Sequence, residues 1–232
     1  MLIKTLCLGA PRAQGFSLAE AAGAARGGVP GLRAVQRLKM LRHIASDSVR
    51  DDRSPSGVIA AADRIDSVLE CHFDDAAALA AAQGAPAWQA FLQAIPQAGE
   101  PLFSLDTFSN VPIPPEGAAA QGGFRRWMLL TRKAATQEQF RAAWFGRHAE
   151  LVKQLPRIDG YLQNLVTARY DAASRPVGYD ELPIDGVAEL CFASESAMNA
   201  SYTSDARLPL RDDARELLGR ITTVLVQGEA FQ

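Results

Sequence analysis

The sequence predicts an α+β protein made of two copies of one βαββαβ unit. The strongest observation is an internal repeat, in which residues 65–73 (IDSVLECHF) match residues 184–192 (IDGVAELCF) at five of nine positions. Around these segments, short apolar runs and helical patterns follow one another in the same order. A stretch rich in proline and glycine separates the two series. These observations indicate a tandem duplication.

The C-terminal copy shows the order of its elements most clearly. Its predicted strands are apolar runs of β length at 124–132, 161–170, 185–193 and 221–227. Thr136 and Gln139 form the two ends of a capping box, which predicts that the first helix begins here and runs to about Leu155. The second helix is predicted at 194–218, with a break near Pro209.

The N-terminal copy repeats this order less regularly. Its first strand is predicted at 2–8, and an alanine-rich stretch at 76–94 predicts its second helix. Gly84 and Pro86 are expected to split that helix. The predicted domain organisation is a degenerate N-terminal half at 1–109, a linker at 110–123 and a C-terminal half at 124–232.

The order βαββαβ predicts a ferredoxin-like unit, which is a four-stranded antiparallel sheet with both helices on one face. Such a unit leaves the other face of its sheet bare. Two units in one chain can cover each other's bare faces, so we expect an intramolecular, pseudo-dimeric α+β barrel with its helices outside. Because fusion removes the need for a second subunit, the chain is expected as a monomer or a homodimer.

The composition argues against several classes of protein. The 24 basic and 26 acidic residues give a net charge of −2 without a basic stripe, so nucleic acid is not an expected partner. No apolar run is long enough to span a bilayer or form a signal peptide, which predicts a cytoplasmic protein without membrane contacts. Cys7, Cys71 and Cys191 lie in apolar runs and are expected to be reduced core thiols. Phosphate-loop and serine-hydrolase motifs are absent.

The C-terminal copy resembles the EthD family from about Phe124 to Gln232. On its first helix, Phe140, Trp144 and His148 follow one another at intervals of four residues, which matches the family pattern. The resemblance implies the dimeric α+β barrel fold but no single reaction, because related barrels include lactone isomerases, small monooxygenases, decarboxylases and haem binders. The N-terminal copy lacks the aligned histidine and tryptophan, so we expect one site per chain.

His148 is the first catalytic candidate. On the predicted helix it faces the same apolar sector as Phe140 and Trp144, which places its imidazole between the helix and the sheet. Histidine changes charge near neutral pH and can act as a general acid or base. The alternative is a core histidine that is hydrogen-bonded to the sheet, and the residues alone leave both interpretations open.

Glu189 is the second catalytic candidate, because a carboxyl group inside an apolar strand is either paired or shifted in pKa. Its repeat partner Glu70 favours a structural ion pair in each half instead. The candidates for substrate binding are Phe140, Trp144, Arg147 and Tyr161. Arg147 or Tyr161 could meet developing negative charge, although surface arginines and core aromatics are commoner. The histidines and cysteines show no ligand spacing, so no metal site is predicted.

These features favour an enzyme that needs no cofactor and acts on a small aromatic or lactone-like metabolite of a catabolic or biosynthetic pathway. In it, His148 would move a proton during an elimination, decarboxylation or isomerisation. Two alternatives stay open at this point: a non-catalytic protein that binds a hydrophobic metabolite, and a metal-free monooxygenase. A haem with His148 as its axial ligand is a minor alternative.

Overall fold

The computed structural model describes residues 1–10, 18–44, 62–120 and 123–230. Its strands are β1 (Leu2–Leu8), β2 (Leu32–Ile44), β3 (Ser67–Phe73), β4 (Pro101–Ile113), β5 (Phe124–Arg132), β6 (Gly160–Tyr170), β7 (Gly186–Phe192) and β8 (Leu218–Ala230). Its helices are α1 (Ala19–Gly28), α2 (Ala76–Ala82), α3 (Pro86–Ala98), α4 (Gly117–Ala120), α5 (Gln137–Ala143), α6 (Ala149–Val152), α7 (Glu195–Tyr202) and α8 (Arg207–Leu217). A π-helical turn, Trp144–His148, joins α5 to α6.

These strands close into one barrel in the order β1-β3-β2-β8-β5-β7-β6-β4, and every neighbouring pair is antiparallel. Within each half the order is that of the ferredoxin-like unit, β4-β1-β3-β2 in the first and β8-β5-β7-β6 in the second. Two seams join the halves, β2 with β8 and β4 with β6. The predicted fold of two ferredoxin-like halves fused into one pseudo-dimeric α+β barrel is confirmed.

Side chains alternate between the outside and the inside of the barrel wall, and among the described residues this alternation creates three large apolar clusters. Outside the first sheet, one cluster packs against α1 to α3 around Trp88 and Phe91. Outside the second sheet, another packs against α5 to α8 and the π-turn around Phe140 and Trp144. The third cluster draws residues from strands of both halves and fills part of the barrel interior. The molecule therefore offers two helix-to-sheet layers and one interior.

Local sequence signals set several boundaries as predicted. The Thr136 hydroxyl accepts a hydrogen bond from the Gln139 amide, and the Gln139 side chain accepts one from the Thr136 amide, so the capping box at the start of α5 is confirmed. The split of the alanine-rich helix is also confirmed, because α2 ends at Ala82 and α3 begins at Pro86. Proline is tolerated at that first helical position.

One helix prediction is wrong in detail. The helix that begins after Thr136 does not run unbroken to Leu155, because the π-turn interrupts it after Ala143. The predicted break near Pro209 is confirmed, because α7 ends at Tyr202 and α8 begins at Arg207. Pro209 lies in the first turn of α8, where backbone N–H groups have no helical partner to lose.

Strand β4 continues into the segment that the sequence assigned to the linker. It ends at Ile113, which pairs with Tyr161 of β6, and the short helix α4 follows. Residues 121 and 122 of the same segment lie outside the described residues. The domain boundaries at 109 and 124 stay a prediction.

The three cysteines are buried and free, as predicted. Burial raises the pKa of each thiol, so Cys7, Cys71 and Cys191 are held in the protonated, unreactive form. Within the described ranges, no helix combines the length and the apolar character needed to cross a membrane.

Candidate functional site

The π-turn fixes the position of His148 in the C-terminal helix layer. It occupies residues Trp144–His148, and within it Gly146 leaves helical geometry with φ −91° and ψ −109°. Both end residues of the turn, Trp144 and His148, are buried. Single π-turns inside α-helices occur frequently at functional sites.

Trp144 anchors this turn to the sheet. Its ring lies directly on Gly186 of β7, where an added Cβ would stand 2.5 Å from two ring carbons. The ring also stacks on Phe140, with centroids 5.1 Å apart and an angle of 28° between the planes. Gln163 of β6 donates a hydrogen bond of 2.6 Å to the Trp144 carbonyl. The absence of a side chain at Gly186 therefore allows the helix to approach the sheet closely.

His148 forms a buried pair with Asp213 of α8. The distance from His148 Nδ1 to Asp213 Oδ2 is 2.8 Å, and the Nε of Arg147 lies 3.1 Å from the other carboxylate oxygen. A carboxylate at Nδ1 favours the tautomer in which Nδ1 carries the proton and Nε2 has its lone pair free. In that tautomer the lone pair of Nε2 can accept a proton.

The His148 cavity is a small void of about 40 Å³ between the helix layer and the outer face of the sheet. Such a volume holds two or three water molecules. Apolar side chains from β5, β7, α6 and α8 form most of its wall. The polar groups at its wall belong to His148, Tyr161, Tyr202 and Arg207. It is thus an apolar site with few polar groups, as is usual for ligand sites.

Two tyrosines and an arginine complete the polar side of the His148 cavity. Tyr161 is fully buried, and its hydroxyl accepts a hydrogen bond of 2.9 Å from Gln163, which leaves the hydroxyl proton available to another acceptor. Burial raises the pKa of Tyr161 well above its usual range, so the phenol stays protonated. The ring of Tyr202 lies between two guanidinium groups, 3.8 Å from that of Arg126 and 5.0 Å from that of Arg207.

A wider groove of about 420 Å³ lies on the other side of Asp213. Its wall includes Lys133, Gln139, Arg147 and Glu216 from α5, the π-turn, α8 and the end of β5. The side chain of Arg147 is 72% exposed here. Asp213 therefore contacts His148, which lines the small cavity, and itself lines a groove that is large enough for a small molecule.

Glu189 lies on the opposite face of the sheet from His148. Its neighbours Ala188 and Leu190 both line the His148 cavity. Since successive residues of a strand point to opposite faces, Glu189 points into the barrel interior. The structure therefore does not bring the two catalytic candidates together.

Inside the barrel, one arginine contacts two carboxyl groups. Arg125 Nη1 donates to Glu189 Oε2 at 2.7 Å and lies 3.7 Å from Glu70 Oε2, while Asn164 donates to Glu189 at 2.7 Å. This arrangement differs from the expected ion pair in each half. Burial and the charge of Glu70 raise the pKa of Glu189 to about 7, against the opposing charge of Arg125. Burial alone would raise the pKa of Glu70. Hydrogen bonding to His72 and the charge of Arg125 outweigh this effect, so the pKa of Glu70 is lowered.

The other predicted binding residues divide between the two sides of the helix layer. Tyr161 lines the same cavity as His148, and Arg147 contacts the carboxylate that holds His148. Phe140 and Trp144 are fully buried against the sheet and do not line the cavity. In this structure they position the turn that carries His148.

Sequence reasoning missed Asp213, although the sequence contained a signal. Asp213 follows Leu210 by three residues and precedes Leu217 by four, so it belongs to the apolar face of α8. An acidic residue at such a position needs a buried partner. Arg207, also buried on this helix, carries the same signal. What the sequence did not show is that α8 packs beside the π-turn.

A haem does not fit beside His148 in this arrangement. The cavity of about 40 Å³ is far smaller than a porphyrin, and the side chains of Met128, Leu130 and Leu210 form part of its wall together with His148. The axial-ligand alternative therefore has no support from the geometry of the site.

Comparisons with known proteins agree with the fold. Over nearly its whole length the chain superposes on three solved α+β barrels, which fixes its structural class. They are a proposed monooxygenase from Lactobacillus acidophilus NCFM (TM-score 0.57, 9% identity, covering 100% of this chain and 93% of that one), another from Fusobacterium nucleatum subsp. nucleatum (0.61, 10%, 100% and 92%) and an anthrone oxidase-like protein (0.58, 9%, 99% and 92%). Identities this low establish the fold alone.

The family comparison concerns the C-terminal half. Residues 132–219 match the EthD domain model, so this half carries an EthD domain, as the Phe140, Trp144 and His148 pattern predicted. The match spans α5, the π-turn and α8, which include the His148 and Asp213 pair. No curated protein matches the sequence.

Proposed function

We propose that the C-terminal half is a cofactor-independent acid–base site in which His148 removes a proton from carbon in a small aromatic or lactone-like metabolite. The observation that carries this proposal is the buried contact of 2.8 Å between His148 Nδ1 and Asp213. An imidazole that is oriented by a carboxylate and faces an apolar cavity is a recurrent general base.

The surrounding residues can supply the other requirements of such a reaction. Removal of a C–H proton by Nε2 leaves negative charge on the substrate, which the Tyr161 hydroxyl and the Arg207 guanidinium at the same cavity can stabilise. Asp213 stabilises the imidazolium that forms. Return of the proton to a different carbon completes an isomerisation, and loss of a leaving group completes an elimination. Each outcome needs only the residues of the cavity.

The size of the cavity sets a condition on this proposal. A ring-sized substrate needs more than about 40 Å³, so the rim must widen when it binds. The half-buried side chains of Tyr202 and Ile221 are the wall residues with room to move toward solvent. Replacement of Ile221 by alanine should therefore increase affinity for ring-sized ligands.

A second candidate function, metal-free monooxygenation, begins with the same proton removal. The names of the three structural neighbours favour it. A carbanion formed at a methylene group next to an aromatic ketone can react with dioxygen, so that one oxygen atom enters the product as a carbonyl and the other leaves as water. Such a reaction balances without a reductant, and it requires the same base.

The test measures deuterium uptake from D2O into a panel of anthrone and unsaturated γ-lactones, above the rate in buffer. His148→Gln and Asp213→Asn should each lower this rate by about a hundredfold or more, since positioned acid–base groups contribute about 10²–10⁴-fold. The matched control is His43→Gln, because His43 is an exposed histidine on β2. Circular dichroism checks that each variant is folded.

Repeating the measurement with and without air separates the two candidates. Product formation that needs dioxygen supports monooxygenation, and product formation in its absence supports isomerisation or elimination. If the panel binds with unchanged affinity to His148→Gln and no exchange occurs in the wild type, the acid–base proposal is wrong and a binding protein remains.

A further inference from the structure

A second cavity opens at one end of the barrel interior, away from the His148 cavity. Its volume is about 320 Å³, which suits a small organic molecule. We define the barrel mouth as the wall of this cavity formed by Gln36, His72, Val111, Pro115, Arg125 and Leu162. The wall draws on both halves of the chain and on neither helix layer. Nothing in the acid–base proposal uses it.

The charged group of the barrel mouth is deeply set and incompletely satisfied. The side chain of Arg125 is only 6% exposed. Its Nη atoms contact Glu189, Glu70 and Gln36, but its buried Nε finds no hydrogen-bond partner among the described residues. A buried donor without a partner is unfavourable, so this guanidinium has capacity for a further acceptor.

Further unsatisfied polar atoms lie next to this arginine. Thr5 and Glu70 are directly opposed on β1 and β3, and Trp127 and Glu189 on β5 and β7. Four of the buried atoms without a hydrogen-bond partner among the described residues belong to these strands and to β6: Thr5 Oγ1, Glu70 Oε1, Trp127 Nε1 and Asn164 Oδ1. Polar groups with unmet hydrogen bonds are therefore concentrated in this part of the barrel interior.

We infer that the barrel mouth binds a small carboxylate with an apolar body. The carboxylate would accept hydrogen bonds from the Arg125 guanidinium and from the His72 ring, while the body would rest on Val111, Pro115 and Leu162. Among the described residues no carboxyl side chain lines the cavity, and Glu70 and Glu189, which contact Arg125, are not part of its wall. The wall therefore presents donors and apolar surface, which match an anion rather than a cation.

Binding of an anion at the barrel mouth should depend on pH. The titratable groups packed around Arg125 are Glu70 and His72 on β3 and Glu189 and Cys191 on β7. Cys191 stays a neutral thiol because burial raises its pKa. Since the pKa of Glu189 is raised to about 7, protonation of this carboxyl near neutral pH leaves the charge of Arg125 less compensated. Binding of an anion should therefore be several-fold tighter at pH 6 than at pH 8.

The experiment uses isothermal titration calorimetry of the full chain with benzoate, and with benzamide and benzylamine as neutral and cationic analogues of similar shape. We expect benzoate to bind at least tenfold more tightly than either analogue. Val111→Trp should weaken benzoate binding at least tenfold, because Val111 is partly exposed at the mouth and a larger ring there blocks entry. The matched control is Leu208→Trp, at an exposed apolar position on α8.

Arg125→Lys provides a second readout, because lysine keeps the charge but lacks the planar guanidinium that can donate to both oxygens of a carboxylate. We expect it to weaken benzoate binding about tenfold; if it fails to fold, the Val111→Trp result decides alone. Equal binding of benzoate and benzamide, or unchanged binding to Val111→Trp, would overturn the inference and leave buried water as the guest. His148→Gln should not alter benzoate binding, so the two sites can fail independently.

Discussion

The two halves repeat one fold but use their helix layers differently. In the N-terminal half, Phe73, Trp88 and Phe91 fill the space under the helices, with ring centroids 5.4 Å apart in each contact. In the C-terminal half, the corresponding space contains the His148 and Asp213 pair beside a small cavity. The first layer is a packed core, and the second combines a core with a polar site.

The two halves also contribute different polar residues to the barrel interior. Glu70 and Glu189 occupy equivalent positions of the repeat, but only the second half supplies an arginine, since Ile3 stands at the position of Arg125. In the same comparison, His72 of the first half occupies the position that is equivalent to Cys191 of the second. Duplication therefore conserved the fold and allowed polar groups to accumulate unequally, which gives one chain two different cavities from one architecture.

The first prediction tests whether the N-terminal layer is a packed core. Trp88→Ala should lower the free energy of unfolding by about 3–5 kcal/mol, because it removes a large side chain that is 2% exposed and touches two aromatic rings. Urea denaturation measures the change. Ile221→Ala at the rim of the C-terminal cavity is the comparison, and it should cost less than half as much. Equal losses would mean that the two layers are packed alike.

The second prediction concerns the close contact that holds the π-turn. Gly186→Ala should cost about 1–3 kcal/mol of unfolding free energy, since its Cβ would stand 2.5 Å from the Trp144 ring. Displacement of the ring should also move the His148 turn and reduce proton exchange. Gly178→Ala is a suitable control, because its nearest neighbour is a side-chain oxygen 3.9 Å away. A fully stable Gly186→Ala protein would show that Trp144 does not anchor the turn.

The fold could be predicted from the sequence because the internal repeat allowed the elements of one half to be aligned with those of the other. The match around Glu70 and Glu189 aligned two strands, and the capping box at Thr136 fixed the start of a helix. These are local signals of periodicity and capping. The π-turn escaped prediction because a helix interrupted by one extra residue keeps nearly the same apolar spacing.

The sites were less predictable because they depend on contacts between distant residues. His148 could be assigned to the buried face of its helix from spacing alone, but its partner lies 65 residues further along the chain. Glu189 was grouped with His148 because both were polar groups among apolar neighbours. Only the direction of β7 relative to the barrel places Glu189 on the interior face, with Arg125. Strand direction in space is a tertiary property that periodicity does not give.

The third prediction tests the unequal charges of the barrel interior. Glu189 has a pKa of about 7 in the fold against an ordinary value of 4.5, so between these values the folded state binds more protons than the unfolded chain. The free energy of unfolding should therefore fall by about 2 kcal/mol from pH 5 to pH 7. Because the pKa of Glu70 is lowered, titration of Glu70 affects the free energy of unfolding only below this pH range.

Glu189→Gln removes the titrating carboxyl and should abolish most of that fall, as measured by urea denaturation at several pH values. Glu150→Gln, at an exposed position on α6, is the control and should leave the slope unchanged. A wild-type protein whose stability rises from pH 5 to pH 7 would contradict the raised pKa of Glu189.

The prediction with the smallest expected effect compares substitutions at two glycines of α1 in the N-terminal layer. At Gly23 an added Cβ would meet nothing within 4 Å among the described residues outside its own helix backbone, whereas at Gly28 the added Cβ would stand 2.7 Å from the Ala87 side chain. Gly23→Ala should therefore stabilise the fold by about 0.5–1 kcal/mol, since alanine restricts the unfolded chain and favours helix. Gly28→Ala should destabilise it, because α1 would have to move away from α3. If both substitutions stabilise the protein, α1 is not held against α3 by close contact, and the N-terminal layer is looser than its apolar core implies.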